Sequence, residues 1–224
     1  MSAFSKRDVK FYNKFRTFFQ WLTCNIFFGA YIKLMYNYKV EGKENIPDED
    51  KFIVAANHIS GRDPFLLPFA LDLPIAFMAK EELFEKFFSR LLMDFCGAFA
   101  VRRDKVEVST IKTALNIKNT KWMLGLFPQG TRDSGDRIEK KISKGFASFA
   151  KATKTGILPV AIIGADEKPK WPFSSNLTIK IGKLIPYSDN IDDMMQQWCD
   201  VISDLTGKRI CTRIVFITGI RGIE

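Results

Sequence analysis

An α/β fold, with a mixed and largely parallel sheet flanked by helices, is what this sequence predicts, and three observations predict it. The 224 residues are 46% hydrophobic, enough to bury one full-sized core in a single main domain. From Phe52 onward, short apolar runs rich in β-branched residues alternate with stretches of helical length and period, the pattern of strands joined by crossover helices. Two of those runs end in polar loops, NHISGRD (57–63) and FPQGTRD (127–133), and a third, GAFAVRRDK (97–105), ends in basic residues. Strand ends of this kind are where an open α/β sheet gathers its chemistry.

Residues 1–40 form a separate N-terminal segment. Lys6, Arg7, Lys10, Lys14, Arg16, Lys33 and Lys39 stand there against one acid, Asp8, together with twelve of the chain's aromatic side chains. Phe11, Phe15, Phe18 and Leu22 fall at helical spacing, which predicts an aromatic stripe with cations elsewhere around the wheel, suited to a membrane interface. The uncharged run from Thr17 to Ile32 is 16 residues, short of the ~20 that a spanning helix needs. Gln20, Thr23 and Asn25 interrupt it and no cleavage site follows, so no signal peptide is expected. The segment either lies in the interface or packs as a helical hairpin on the rest of the chain.

The charged stretch Glu41 to Lys51, with Pro47, reads as the hinge into an α/β domain over 41–224, its tail after about 206 left unassigned. Phe52–Ala56 reads as a strand. Asp63 followed by Pro64 and the apolar Phe65–Leu71 reads as a capped helix. Strands are then expected at Ile75–Ala79, Ala98–Val101, Trp122–Phe127, Ile157–Ile163 and Leu177–Ile181. Helices are expected at Lys80–Asp94, Val106–Asn119, Ile138–Thr153 and Ile191–Leu205.

The formal charge of +9 and pI near 9.4 favour an anionic partner: nucleic acid, a phospholipid surface or a phosphorylated small molecule. A nucleic-acid module would interleave its aromatics along an exposed sheet or groove, whereas here they crowd into the N-terminal segment at helical spacing, so no nucleic-acid partner is expected. The cysteines at 24, 96, 199 and 211 are too widely spaced for a zinc knuckle, and one histidine supplies no ligand set, so no metal is expected and the thiols read as reduced. A hydrolase of the α/β type needs a Gly-x-Ser-x-Gly elbow, and none occurs.

His58 is the chain's only histidine and lies just past the Phe52–Ala56 strand, with Asp63 after four intervening residues. Asp63 could cap the following helix, or turn its carboxylate back toward Nδ1–H, fix the tautomer and leave Nε2 as a base. An imidazole held in that way can take a proton from an alcohol. In the second loop Gly130 lets the backbone approach a ligand, Thr131 supplies a donor and Arg132 a planar fork suited to phosphate; Arg102, Arg103 and Lys105 add positive charge at the third strand end.

NHISGRD resembles the NHxxxxD motif of the glycerolipid acyltransferases, and FPQGTR resembles their FPEGTR. GAFAVRR is similar to their GxxxxxR block, ILPVAI to their VPVAI-type strand and EGKENIP to their entry segment. The resemblance covers about residues 35–205 and is greatest to the bacterial 1-acylglycerol-3-phosphate acyltransferases. It implies that His58 is the general base, that Asp63 orients it, and that Arg103, Gly130, Thr131 and Arg132, with Lys105 beside them, bind the acceptor's phosphate. The implied reaction moves a fatty acyl group from an acyl carrier protein or coenzyme A thioester to a lysophosphatidate, with no metal or redox cofactor. Glycerol 3-phosphate or another lysophospholipid is the alternative acceptor. The implied location is the cytoplasmic face of the cell membrane, peripheral or monotopic, on an anionic surface. Gln129 stands where the family has glutamate, and Arg102 where an acid is common.

Overall fold

The computed structural model describes residues 4–48, 51–102, 108–132 and 142–208. Its helices are α1 (Lys14–Trp21), α2 (Gly29–Met35), α3 (Asp63–Leu71), α4 (Phe87–Phe95), α5 (Val108–Ile117), α6 (Gly145–Thr153) and α7 (Ile191–Thr206). Its strands are β1 (Tyr36–Glu41), β2 (Phe52–Ala56), β3 (Ile75–Lys80), β4 (Phe99–Val101), β5 (Met123–Leu126), β6 (Gly156–Ile163) and β7 (Ser175–Ile181). They form one sheet in the order β1-β7-β6-β2-β5-β3-β4. Every neighbouring pair is parallel except β6 with β7. This is the mixed, largely parallel sheet that the alternating pattern predicted.

β2 is buried along its whole length because it lies in the middle of that sheet with packed side chains on both faces. Phe52, Val54 and Ala56 face Leu66, Leu67 and Ala70 of α3, together with Ile32 of α2. Ile53 and Ala55 face the opposite cluster, built from Ala114 and Ile117 of α5, Phe146 of α6 and Trp198 and Ile202 of α7. The Trp198 indole also donates to the Ala55 carbonyl at 2.9 Å, fixing α7 across the strand that leads into the site.

The N-terminal segment is part of this core. From Lys14 to Met35 the chain is helical, its middle turns (Leu22–Phe28) π-wound between α1 and α2. Gln20 is 2% exposed; its amide donates to the carbonyls of Ile75 and Cys96 at 2.7 Å each and accepts from Ile75 N–H at 3.0 Å. Losing that side chain would strand buried backbone groups at about 1–3 kcal/mol apiece. Phe15, Phe18, Trp21, Phe27, Tyr31 and Leu34 point outward and are exposed. Phe11, expected on the same stripe, lies before α1, because the Asn13 side chain accepts from Arg16 N–H and starts the helix there. No helix among the described residues is long and apolar enough to cross a membrane.

Three expectations differ from the structure in detail. Tyr36–Glu41 is a strand paired in parallel with β7, so the sheet takes up the last residues of the 1–40 stretch. Lys80–Asp94 is not one helix: a 3₁₀ turn at Glu81–Phe84 precedes α4, and the extended backbone of Lys86 separates them. The helix expected from Ile138 begins, within the described residues, at Gly145.

Cys24 and Cys96 are free and buried, whereas Cys199 is disulfide-bonded and corrects the expectation of reduced thiols throughout. Burial pushes the Cys96 thiol up to about 12 and the Cys24 thiol well above its ordinary range, where Cys96 nearby adds to the shift. The thiolate is the reactive form, so iodoacetamide at pH 8 should label neither residue in the folded protein and both after unfolding. Labelling of the native protein, read by peptide mass spectrometry, would contradict this burial.

Candidate active site

Because β2 and β5 are parallel neighbours, the loops leaving their carboxyl ends lie side by side, and these are the NHISGRD and FPQGTRD loops. His58 Nδ1 and Asp63 Oδ2 are 2.7 Å apart. The same oxygen accepts from the backbone N–H groups of Ile59 and Ser60, both at 2.8 Å. Asp63 thus turns back into its own loop. Of the two roles open to it, capping α3 is the one it does not take, since its accepting oxygen serves residues that precede the helix. Its side chain is fully buried while that of His58 keeps 14% exposure, so the acid is held behind a ring that reaches solvent.

With Nδ1 bound to the acid, Nε2 has no hydrogen-bond partner among the described residues. The ring stacks on Phe127 at 4.2 Å between centroids, and Phe127 stacks on Phe77 at 5.4 Å. Gly125 makes room for that pile, since a Cβ there would come within 2.3 Å of the Phe77 ring. An aromatic wall on one side and a carboxylate at one nitrogen restrict the imidazole to a single presentation.

Gln129 braces the same loop. It is 5% exposed, and its Oε1 accepts the His58 backbone N–H. Asn57 ties the loop to β6, donating to the Ile162 carbonyl at 2.9 Å and accepting its N–H at 2.7 Å. Gly130 closes the β5 turn with φ of +66°, a conformation that glycine adopts without steric cost; its N–H bonds the Phe127 carbonyl at 2.9 Å. Thr131 and Arg132 follow on the exposed side, and Arg132 Nη1 lies 3.5 Å from where a Cβ on Gly61 would stand. The two loops therefore set Gln129 against His58 and Arg132 beside Gly61, with Gly130 and Thr131 between Gln129 and Arg132 along the chain. Arg103 and Lys105 lie outside the described residues. Those residues contain no group of three or more His, Cys, Asp or Glu side chains able to hold a metal ion.

Nothing in the local sequence marks Arg62, yet it is heavily bonded. Its guanidinium donates to Ser60 Oγ at 3.2 Å, to the Tyr36 hydroxyl, and to the carbonyls of Ala165 and Glu167 at 2.6 and 2.8 Å. The Tyr36 hydroxyl itself donates to the Glu167 carbonyl at 2.8 Å. One side chain of the histidine loop thus joins the start of β1 to the β6–β7 connection.

An acyltransferase family model matches residues 37–163, more than half of the chain and all of the two loops up to Arg132. The chain belongs to the acyltransferase family. The 1-acyl-sn-glycerol-3-phosphate acyltransferase of Bacillus subtilis is 30% identical to this acyltransferase over 152 residues, 67% of this chain and 75% of that protein. The enzyme of that name from Streptococcus pneumoniae is 35% identical over 124 residues, 54% of this chain, and the one from Borreliella burgdorferi 31% over 128. The matches to these last two span only 45% and 50% of their lengths. The crystal structure of the 1-acyl-sn-glycerophosphate acyltransferase of Thermotoga maritima shares the fold, with a TM-score of 0.64 at 23% identity over 87% of this chain and 95% of that one.

Proposed function

We propose that this acyltransferase moves a fatty acyl group from a thioester to the free hydroxyl of a lysophosphatidate, with His58 as the base. The reading rests above all on the 2.7 Å contact between Nδ1 and the buried Asp63 carboxylate, which leaves Nε2 to meet a substrate. Nε2 takes the hydroxyl proton as the oxygen attacks the thioester carbonyl carbon. Collapse of the tetrahedral adduct breaks the carbon–sulfur bond, and the departing thiolate recovers the proton from the imidazolium, so the protein ends unchanged. Asp63 never leaves its backbone donors; it fixes the tautomer and balances the transient positive charge.

The acceptor's phosphate is the handle. Arg132, at the edge of Gly61, offers a guanidinium fork for two phosphate oxygens, and Gly130 and Thr131 form the adjoining turn. Arg103 and Lys105, from the third strand end, belong to the same reading. Anchoring one end of the acceptor beside Nε2 turns an encounter into a positioned reaction and can contribute several kcal/mol to lowering the barrier. The relatives named above are 1-acyl-sn-glycerol-3-phosphate acyltransferases, which supports lysophosphatidate over glycerol 3-phosphate or a lysophospholipid with a larger headgroup.

Acceptor and product both reside in a bilayer, so the site must open at an interface. The outward aromatics of α1, the π-wound turns and α2, with the exposed Lys14 and Lys33 among them, suit docking on the anionic cytoplasmic leaflet without spanning it. Mass spectrometry of products from lysophosphatidate, glycerol 3-phosphate and lysophosphatidylcholine, each with acyl carrier protein and coenzyme A thioesters, tests the reading. Phosphatidate should accumulate from the first acceptor. No acyl transfer to any of the three would overturn the proposal, and the preferred donor is read from the same spectra.

A further inference from the structure

We propose that Lys168, carried by the β6–β7 connection, is a further cation that holds the acceptor's phosphate together with Arg132, and that Arg62 is the positioning residue that keeps it there. The inference rests on the lysophosphatidate reading and adds to it a wall of the site that lies outside the two strand-end loops.

A cavity of about 530 Å³ opens beside the histidine loop. Ser60 and Gly61 line it from that loop, Arg132 from the β5 loop, and Lys168 from the β6–β7 connection. Its volume falls within the range of small-molecule sites. A phosphate monoester carries close to two negative charges at neutral pH and presents three oxygens. One guanidinium fork engages two oxygens and supplies one charge, which leaves the rest of the phosphate to further cations; Arg103 and Lys105 belong to the reading above, and Lys168 lines the cavity itself. Arg62 also borders the cavity, but its donors are directed to Ser60, Tyr36, Ala165 and Glu167. Lys168 makes no ion pair or side-chain hydrogen bond among the described residues. Among the described residues, the acid that lines the same cavity is Asp166.

The connection is built to hold Lys168 in place. Gly164 turns the chain out of β6 with φ of +83°, where a Cβ would lie 2.1 Å from the Asn176 carbonyl oxygen. Arg62 then grips the carbonyls of Ala165 and Glu167, on both sides of Asp166 and immediately before Lys168. Tyr36 bonds the Glu167 carbonyl as well, and Pro169 restricts the backbone just after. The residue next to Asp63 thereby positions a cation more than 100 residues further along the chain.

The test is kinetics on lysophosphatidate in neutral detergent micelles, where no anionic surface competes. Lys168→Ala should raise KM about ten-fold with kcat within two-fold of the parent, Lys168→Arg should restore most of it, and Asp166→Asn should lower KM. Arg62→Ala should raise KM too, and the Arg62→Ala/Lys168→Ala pair should add little to either alone, since both remove one contact. A KM for folded Lys168→Ala within two-fold of the parent overturns the assignment. So does a variant whose only loss is sedimentation with phosphatidylglycerol vesicles, which would make Lys168 a surface cation. A parent enzyme inert toward lysophosphatidate instead overturns the acceptor reading and, with it, this inference.

Discussion

Replacing His58 with alanine should lower turnover of lysophosphatidate by about two to four orders of magnitude, the share of a barrier that a positioned general base removes. The protein should stay folded. His58 is partly exposed, and the backbone bonds that shape its loop, from Ile59 and Ser60 to Asp63 and from His58 N–H to Gln129, do not use the imidazole. Asp63→Asn should be nearly as costly to kcat, because an amide can keep one acceptor in place for the loop yet cannot balance an imidazolium. Asp63→Ala should go further and loosen the loop itself, leaving the N–H groups of Ile59 and Ser60 without their acceptor at about 1–3 kcal/mol each. Circular dichroism and thermal melting separate the two effects. A folded His58→Ala enzyme with parental kcat would remove the imidazole from the mechanism.

The ease with which that pair was read from sequence has a physical cause. His58 and Asp63 are five residues apart in one loop, so local spacing carries the contact. Gln129 and Arg62 were legible as residues but not as parts: the first reaches His58 N–H across 71 positions, the second reaches Ala165 and Glu167 across more than 100. Such contacts depend on which strands become neighbours, and strand order is set by packing of the whole sheet. The strands divide in the same way. β2, β5 and β6 are short apolar runs buried on both faces, and that composition marks them in the sequence. β1 alternates buried Tyr36 with exposed Asn37 and Lys39 at the sheet edge, and its aromatics and lysines merged with the similar composition just before it. The amphipathic period through 80–94 was real, but Lys80 and Lys86 take extended backbone and leave a helix only from Phe87.

Serine at positions 18, 21 and 27 together should release the acyltransferase from anionic vesicles. Deleting the whole segment would not be a clean test, because Tyr12, Gln20, Cys24 and Ile32 from it are buried and Gln20 satisfies the backbone of β3. Phe18, Trp21 and Phe27 are different: they stand 54%, 44% and 68% exposed on the outer side of the same helical run. Moving the exposed part of such a ring into hydrocarbon is worth roughly 1 kcal/mol or more, so three together weaken partition by about a hundred-fold. The substitutions remove outward surface, and the melting temperature should change little. Lys14 and Lys33 remain with Phe15, Tyr31 and Leu34, so residual binding should lean more heavily on charge and weaken more steeply than the parent's as salt rises. Vesicle sedimentation across a lipid titration measures both effects. If the folded triple variant sediments at the parent's lipid concentration, the outward aromatics are not what holds the enzyme at the bilayer.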